Sequence, residues 1–146
     1  MRKKATQEPV KAPKRRKRKR RGRHYISGLY QAQKCLVPVK YRSSWELIVS
    51  KHLDADPTVL KFEYETLKIP YVFNIKTRKI RNYYPDFIVY YVDGRKVIIE
   101  VKRNSALNNV LVMRKASAAR EWASKNGMSY VFWTESIIKP LMKIYQ

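Results

Sequence analysis

The chain has 146 residues, with 33 Lys and Arg against 11 Asp and Glu, a formal net charge of +22, two histidines and one cysteine. That length provides one ordinary domain, a lone Cys35 excludes an intrachain disulfide or thiolate metal cluster, and two histidines cannot build a histidine-rich zinc site. No stretch approaches a membrane span, no signal peptide or lipidation signal is legible, and so neither secretion nor a membrane partner is expected.

In chain order, Arg2–Arg23 hold 13 of the 33 basic residues, one acid and no aromatic side chain. The run Lys14, Arg15, Arg16, Lys17, Arg18, Lys19, Arg20 and Arg21 is too dense in like charge to fold. Residues 1–24 are therefore predicted as a disordered basic arm, and residues 25–146 as the folded domain. That domain keeps 20 basic residues against 10 acidic ones. A charged arm on a charged body points to a polyanion, with nucleic acid the obvious candidate and the arm's eight-residue run a candidate nucleic-acid contact.

His24–Val39 reads as an irregular lead-in. Ser43 to about Leu53 is a helix: Ser43 and Glu46 have the spacing of a capping box, and Trp45, Ile48, Val49 and Leu53 recur at helical period. Three extended segments follow, near Val59–Tyr64, Leu67–Phe73 and Lys79–Tyr84, and Pro70 argues for an edge or a bulge in the second. Asp86–Tyr91 and Arg95–Lys102 form a hairpin across Asp93-Gly94. Leu107–Lys125 is a long helix with Leu111, Ala118, Ala119 and Trp122 on one stripe and Gly127 beyond its end. Tyr130–Trp133 is a short strand, and Thr134 begins a helical turn or two. Strand, crossover helix and strand over Arg95–Trp133 have βαβ lengths, giving an α/β fold with a mixed β-sheet flanked by helices.

Glu100 and Lys102 lie two apart on an apolar strand and so share a face; a carboxylate and an ammonium there need a reason. Register decides whether Asp86 joins them. A two-residue loop, Asp93-Gly94, pairs Asp86 with Val101 and puts it on the opposite face. A three-residue loop, Val92-Asp93-Gly94, with Gly94 left-handed, pairs Asp86 with Glu100. The sequence allows both. In the second register Asp86 and Glu100 can hold a hard divalent cation, most naturally Mg2+ with Mn2+ as a substitute, and the Val101 carbonyl can add a ligand. Lys102 can orient water or stabilise the transition state. Glu46 is a candidate fourth catalytic residue, against the simpler account that it only closes the capping box. Lys115 faces the sheet and reaches either the site or solvent. Arg42, Arg81, Arg103 and Arg114 are candidate phosphate contacts, though a basic protein turns many arginines to water. His52 reads as a helix-surface or core-edge histidine rather than a ligand, Tyr83 and Tyr84 as packing residues, and Glu63 and Glu65 as ordinary polar positions.

Tyr84-Pro85-Asp86-Phe87 with Ile99-Glu100-Val101-Lys102 resembles the signature of the PD-(D/E)xK nuclease superfamily. With Tyr41–Glu46, Pro57–Leu60, Ile69-Pro70-Tyr71 and Trp133-Thr134-Glu135, the chain resembles the head completion nuclease family of T4-like phages, and more distantly the TnsA-like transposon endonucleases. The resemblance implies a restriction-endonuclease-like core with Glu46 as the helix acid, Asp86 and Glu100 as metal carboxylates and Lys102 as the catalytic lysine. It also implies a Mg2+-dependent DNA endonuclease acting in phage head completion, located in the virion or host cytoplasm, with double-stranded DNA as partner and portal or neck proteins as further partners. The alternatives are a structural DNA-binding head completion protein and a transposon-end or junction-resolving nuclease. An RNA-binding protein is disfavoured, because the proposed active face carries carboxylates rather than stacking aromatics.

Overall fold

The computed structural model describes residues 26–145. The predicted arm, residues 1–24 with the run Lys14–Arg21, lies outside the described residues, so the description begins at the folded domain.

The lead-in is more regular than its sequence suggests. Gly28–Tyr30 (β1) and Val39–Tyr41 (β2) pair antiparallel ahead of helix α1, Ser44–Ala55. Ser43 caps α1, its hydroxyl accepting from the Glu46 amide, which satisfies one of the helix's orphan donors. Val59–Tyr64 (β3), Phe87–Tyr91 (β6), Lys96–Val101 (β7) and Ser129–Trp133 (β8) form one sheet in the order β3-β6-β7-β8. Its first three strands are antiparallel, while β8 runs parallel to β7 after the crossover helix α2, Val110–Lys125. This is a mixed sheet flanked by helices, consistent with a restriction-endonuclease-like core.

The two faces of the sheet are covered differently. On one, Val49 and Leu53 of α1 and Ile138 of α3 (Glu135–Ile144) pack with Phe62, Phe87, Val89 and Ile99. On the other, Ala116, Ala119 and Ala123 of α2 pack with Ile98 and Tyr130. The buried stripe of α2 is therefore built of alanines, whose small side chains let the helix lie close to the strands. Ala118 and Trp122, expected on that stripe, flank it half-buried.

Several boundaries differ from the sequence reading. The long helix starts at Val110, because Asn104–Ala106 forms a separate 3-10 turn and the Asn109 side chain caps α2 by accepting from the Leu111 and Val112 amides. The last helix runs ten residues rather than one or two turns. Ile69–Asn74 (β4) and Lys79–Tyr83 (β5) do not extend the main sheet; they pair only with each other, as a two-stranded ribbon set against α2. Pro70 thus sits on an edge strand as expected, while the break in register falls at Val72/Asn74.

Among the described residues, no helix is long and apolar enough to cross a membrane.

Candidate active site

The β6–β7 hairpin adopts the three-residue loop. Tyr91 and Arg95 close it, the Tyr91 amide donating to the Arg95 carbonyl at 2.9 Å, and Gly94 takes φ +91°, a conformation that favours glycine. Phe87 pairs with Ile99, so the next step of the ladder sets Asp86 opposite Glu100. The Asp86 amide donates to Glu100 Oε2 at 3.2 Å, and Asp86 Oδ2 accepts from the Val101 amide at 2.8 Å. Lys102 Nζ lies 3.6 Å from Glu100 Oε1. The structure therefore brings Asp86, Glu100 and Lys102 together.

Val101 contributes through its backbone. Its N–H points to the Asp86 side of β7, and within a strand a residue's carbonyl points to the same side as its N–H. The Lys102 amide donates the other way, to the Trp133 carbonyl, so the Val101 carbonyl points to the Asp86 side of β7. Asp86 and Glu100 place carboxylate oxygens at the same end of the sheet.

Glu100 is 8% exposed, which is unusual for a glutamate and requires partners. Its Oε2 accepts from the Tyr83 hydroxyl at 2.6 Å, and that hydroxyl lies 2.9 Å from the Tyr130 hydroxyl. Oε2 is occupied by these protein donors, which leaves Oε1 turned toward Lys102. Burial pushes the Glu100 carboxyl up, against the Tyr83 hydrogen bond and the charges of Lys102 and Lys115. Burial first, then the neighbouring Glu100, raises Asp86 well above the ordinary aspartate range; Glu46 adds to this, while the Val101 amide and Lys102 oppose it. Two carboxyls crowded in a partly dry site favour a positive charge between them.

Glu46 approaches from the α1 side. Its Oε2 accepts from the Arg42 amide at 2.9 Å and from the Tyr64 hydroxyl at 2.6 Å. The carboxylate reaches back one residue beyond Ser43, so it closes a variant of the expected capping box while remaining near enough to repel Asp86. Among the described residues, no three His, Cys, Asp or Glu side chains gather closely enough to hold a metal ion between them. Glu46 acts on Asp86 through its charge, while its carboxylate is held by Arg42 and Tyr64.

The predicted basic contacts divide by location. Lys115 lines a small cavity of about 10 Å³ with Glu100, Lys102, Tyr83 and Tyr130, its Nζ 5.6 Å from the ring centres of both Tyr71 and Tyr83. Arg103 lies over Trp45 at 5.4 Å, in a cleft of about 230 Å³ that also takes in Ser43 and Lys102. Arg42 pairs with Glu65 while staying largely exposed. Arg81 stacks on Phe73 at 3.5 Å. Arg114 donates to the Phe73 carbonyl at 2.9 Å, and so fastens the ribbon to α2. His52 packs at the core edge against Trp133 and Tyr145, as its sequence context suggests.

Sequence reasoning missed Tyr64 and Tyr83 as partners of the acids, and Tyr130 as the partner of Tyr83. Tyr83 stands three residues before Asp86, but nothing in that spacing announces a hydroxyl bridged to a strand 47 residues on. Glu65 was also passed over. It takes φ +53°, its amide donates to the Asp86 carbonyl at 2.9 Å, and its carboxylate holds Arg42.

Two comparisons agree with this geometry. The head completion nuclease of Enterobacteria phage T4 is 34% identical over 64 residues, 44% of this chain and 42% of that protein. The chain thus matches less than half the length of that relative. The TnsA-like endonuclease N-terminal family matches residues 56–135, a segment that includes Asp86, Glu100, Lys102 and Lys115 and stops short of Glu46. With more than half of its length matched, and with a PD-(D/E)xK constellation assembled on one face of a mixed sheet, the chain belongs to the TnsA-like endonuclease family.

Proposed function

We propose that this protein is a metal-dependent DNA endonuclease that hydrolyses phosphodiester bonds at the Asp86–Glu100–Lys102 site. The observation that carries the reading is the register: the hairpin sets Asp86 opposite Glu100, with Lys102 on the same face 3.6 Å from Glu100 Oε1.

The donor set suits a hard divalent cation. Two carboxylates and one carbonyl supply oxygen only, and Mg2+ commonly keeps water and phosphate oxygens in its remaining positions, so a third carboxylate is not required. Asp86, Glu100 and Val101 would hold the ion, and Mn2+ fits the same ligands. Bound there, it supplies Lewis acidity toward the scissile phosphate and lowers the pKa of a nearby water.

The chain's own groups do the rest. Tyr83 and the Asp86 amide fix Glu100 Oε2, so that Oε1 keeps its aim. The Val101 amide fixes Asp86 Oδ2 in the same way. Lys102 presents an ammonium to the attacking water or to the charge that develops on phosphorus oxygens. Glu46 orients the entry of α1 through Arg42 and Tyr64, and adds negative charge near Asp86. Arg103, in the open cleft beside Lys102, would meet the phosphate backbone, Lys115 adds positive charge behind Glu100, and Arg42 and Arg81 stay exposed for further contacts. The basic run Lys14–Arg21 adds a non-specific hold on duplex DNA.

The T4 relative's name supports a finer proposal, that cleavage serves completion of a DNA-filled phage head, with portal or neck proteins as partners in the virion or host cytoplasm. The family match supports the competing use, cutting at transposon ends.

The deciding experiment is cleavage of linear, circular and branched duplexes by the full chain with Mg2+, Mn2+ or EDTA, beside Glu100→Gln. Metal-dependent cutting lost in the variant is expected. Equal cutting by both proteins would defeat the assigned site. Tight DNA binding without cutting by either would favour a structural head protein.

A further inference from the structure

The β4–β5 ribbon stands apart from the sheet, and its composition is unlike the rest of the fold. From Leu67 to Pro85 the chain has five basic residues, Lys68, Lys76, Arg78, Lys79 and Arg81, and no acid. Every residue from Ile75 to Asn82 is exposed, although Lys79–Tyr83 is a regular strand. One face of the ribbon, through Ile69, Tyr71 and Tyr83, is buried against α2. The other carries the exposed pair Val72 and Ile80.

The tip is ordered by its own hydrogen bonds. Asn74 Oδ1 accepts from the Lys76 and Thr77 amides at 3.0 and 3.2 Å, a turn chemistry suited to asparagine. The turn ends on Arg78 at φ +56°, a left-handed conformation that glycine or asparagine adopts with less strain. The tip thus keeps a guanidinium where backbone preference would place a smaller residue. Such a local cost is a reason to look for a function of the side chain.

We propose that the β4–β5 ribbon is a DNA-binding arm, with Lys76, Arg78, Lys79 and Arg81 engaging the phosphate backbone of duplex flanking the cut site. This rests on the endonuclease reading and names a contact surface beyond the active site. The ribbon begins at the chemistry, because Tyr83, its last residue, holds Glu100. At about 3.3 Å per residue, Arg78 stands about 17 Å along the strand from Tyr83. That is the axial length of about five base pairs.

Charge selects the occupant. An exposed Val72–Ile80 pair alone would suit a protein surface, but Arg78 and Arg114 share its cleft, while Lys79 and Arg81 project from the opposite face over Phe73. Cations on both faces with no acid among them suit a polyanion, and a two-stranded ribbon has the width to lie in the major groove between two phosphate backbones.

The test is metal-free binding of the full chain to a 30-base-pair duplex, by fluorescence anisotropy over a series of salt concentrations. The comparison is wild type, Arg78→Gly, Arg78→Gly/Lys79→Ser, and the charge-matched Lys139→Ser/Lys143→Ser on α3, across the sheet. Each lost phosphate contact lowers the slope of log affinity against log salt by about 0.9. The ribbon double variant should lose about 1.8 in slope and at least about tenfold in affinity at low salt; the α3 variant should lose less. Arg78→Gly should melt higher than wild type and still bind more weakly, a combination that a purely structural role for Arg78 does not give. Ribbon variants that bind like wild type, or no worse than the α3 variant, would overturn the proposal. A wild-type chain that binds no duplex would overturn the endonuclease reading itself.

Discussion

Tyr83 donates to Glu100 Oε2 at 2.6 Å, from a strand that does not belong to the sheet carrying Glu100. Burial, Glu100 and Tyr130 push the Tyr83 phenol far above its usual range, so it stays protonated and can only donate to the carboxylate. Tyr83→Phe removes this donor and leaves Tyr130 without its phenolic partner. Groups that orient a metal ligand typically matter by about 10- to 100-fold. The Mg2+ concentration for half-maximal cleavage should rise within that range, measured by titration at fixed duplex, and a curve that superimposes on wild type would count against a positioning role.

Asp86 and Glu100 repel each other when no cation is present. Replacing Asp86 by Asn keeps an oxygen to accept from Val101 and removes one charge. Asp86→Asn should abolish cleavage and yet melt higher than wild type in EDTA. Added Mg2+ should raise the wild-type midpoint through binding to the native state, and leave the variant's unchanged. Differential scanning calorimetry with and without Mg2+ checks both halves.

Gly94 sets the register on which the site depends. An added Cβ there meets nothing within 4 Å, so substitution acts through φ +91° alone. Gly94→Ala should cost about 1–2 kcal/mol, read from urea unfolding. If it costs nothing, the hairpin tolerates another turn and register is held elsewhere.

His52 gives the fold a pH dependence separate from catalysis. Burial lowers its pKa below the ordinary 6.5, against the opposing pull of Asp56, with the Tyr145 hydroxyl 3.3 Å from Nδ1. The native state therefore binds fewer protons than the unfolded chain just below pH 6.5. Stability falls as pH drops through that point, until the native-state ring protonates in turn. His52→Phe should flatten this part of the thermal midpoint profile between pH 7.5 and 5, and an unchanged slope would remove His52 as its source.

The elements that sequence revealed best were those with a strong local signal. Ser43 and Glu46 announced α1, Gly127 the end of α2, and Asp93-Gly94 between two apolar runs the β6–β7 hairpin. The Asp86, Glu100 and Lys102 constellation was legible, but its assembly waited on a loop that local chemistry left open between two and three residues. The place of the ribbon was not legible because β4 and β5 look like any antiparallel pair; only the alanine face of α2 and the Arg114–Phe73 bond decide where they pack. The tyrosine partners were illegible for the same reason. Tyr64, Tyr83 and Tyr130 come from three strands; the first two reach their acids, and Tyr130 reaches Tyr83, only after the layers close.

The parallel pairing of β8 with β7 also has a consequence in time. Until Ser129–Trp133 has left the ribosome, β7 lacks one neighbour, Glu100 lacks the Tyr83–Tyr130 bridge, and Lys102 lacks the Trp133 carbonyl that fixes its amide at 3.1 Å. On the endonuclease reading, basic segments such as the β4–β5 ribbon emerge before the cutting centre is complete, since that centre waits for β8. A nascent chain of such a nuclease holds DNA before it can cut it.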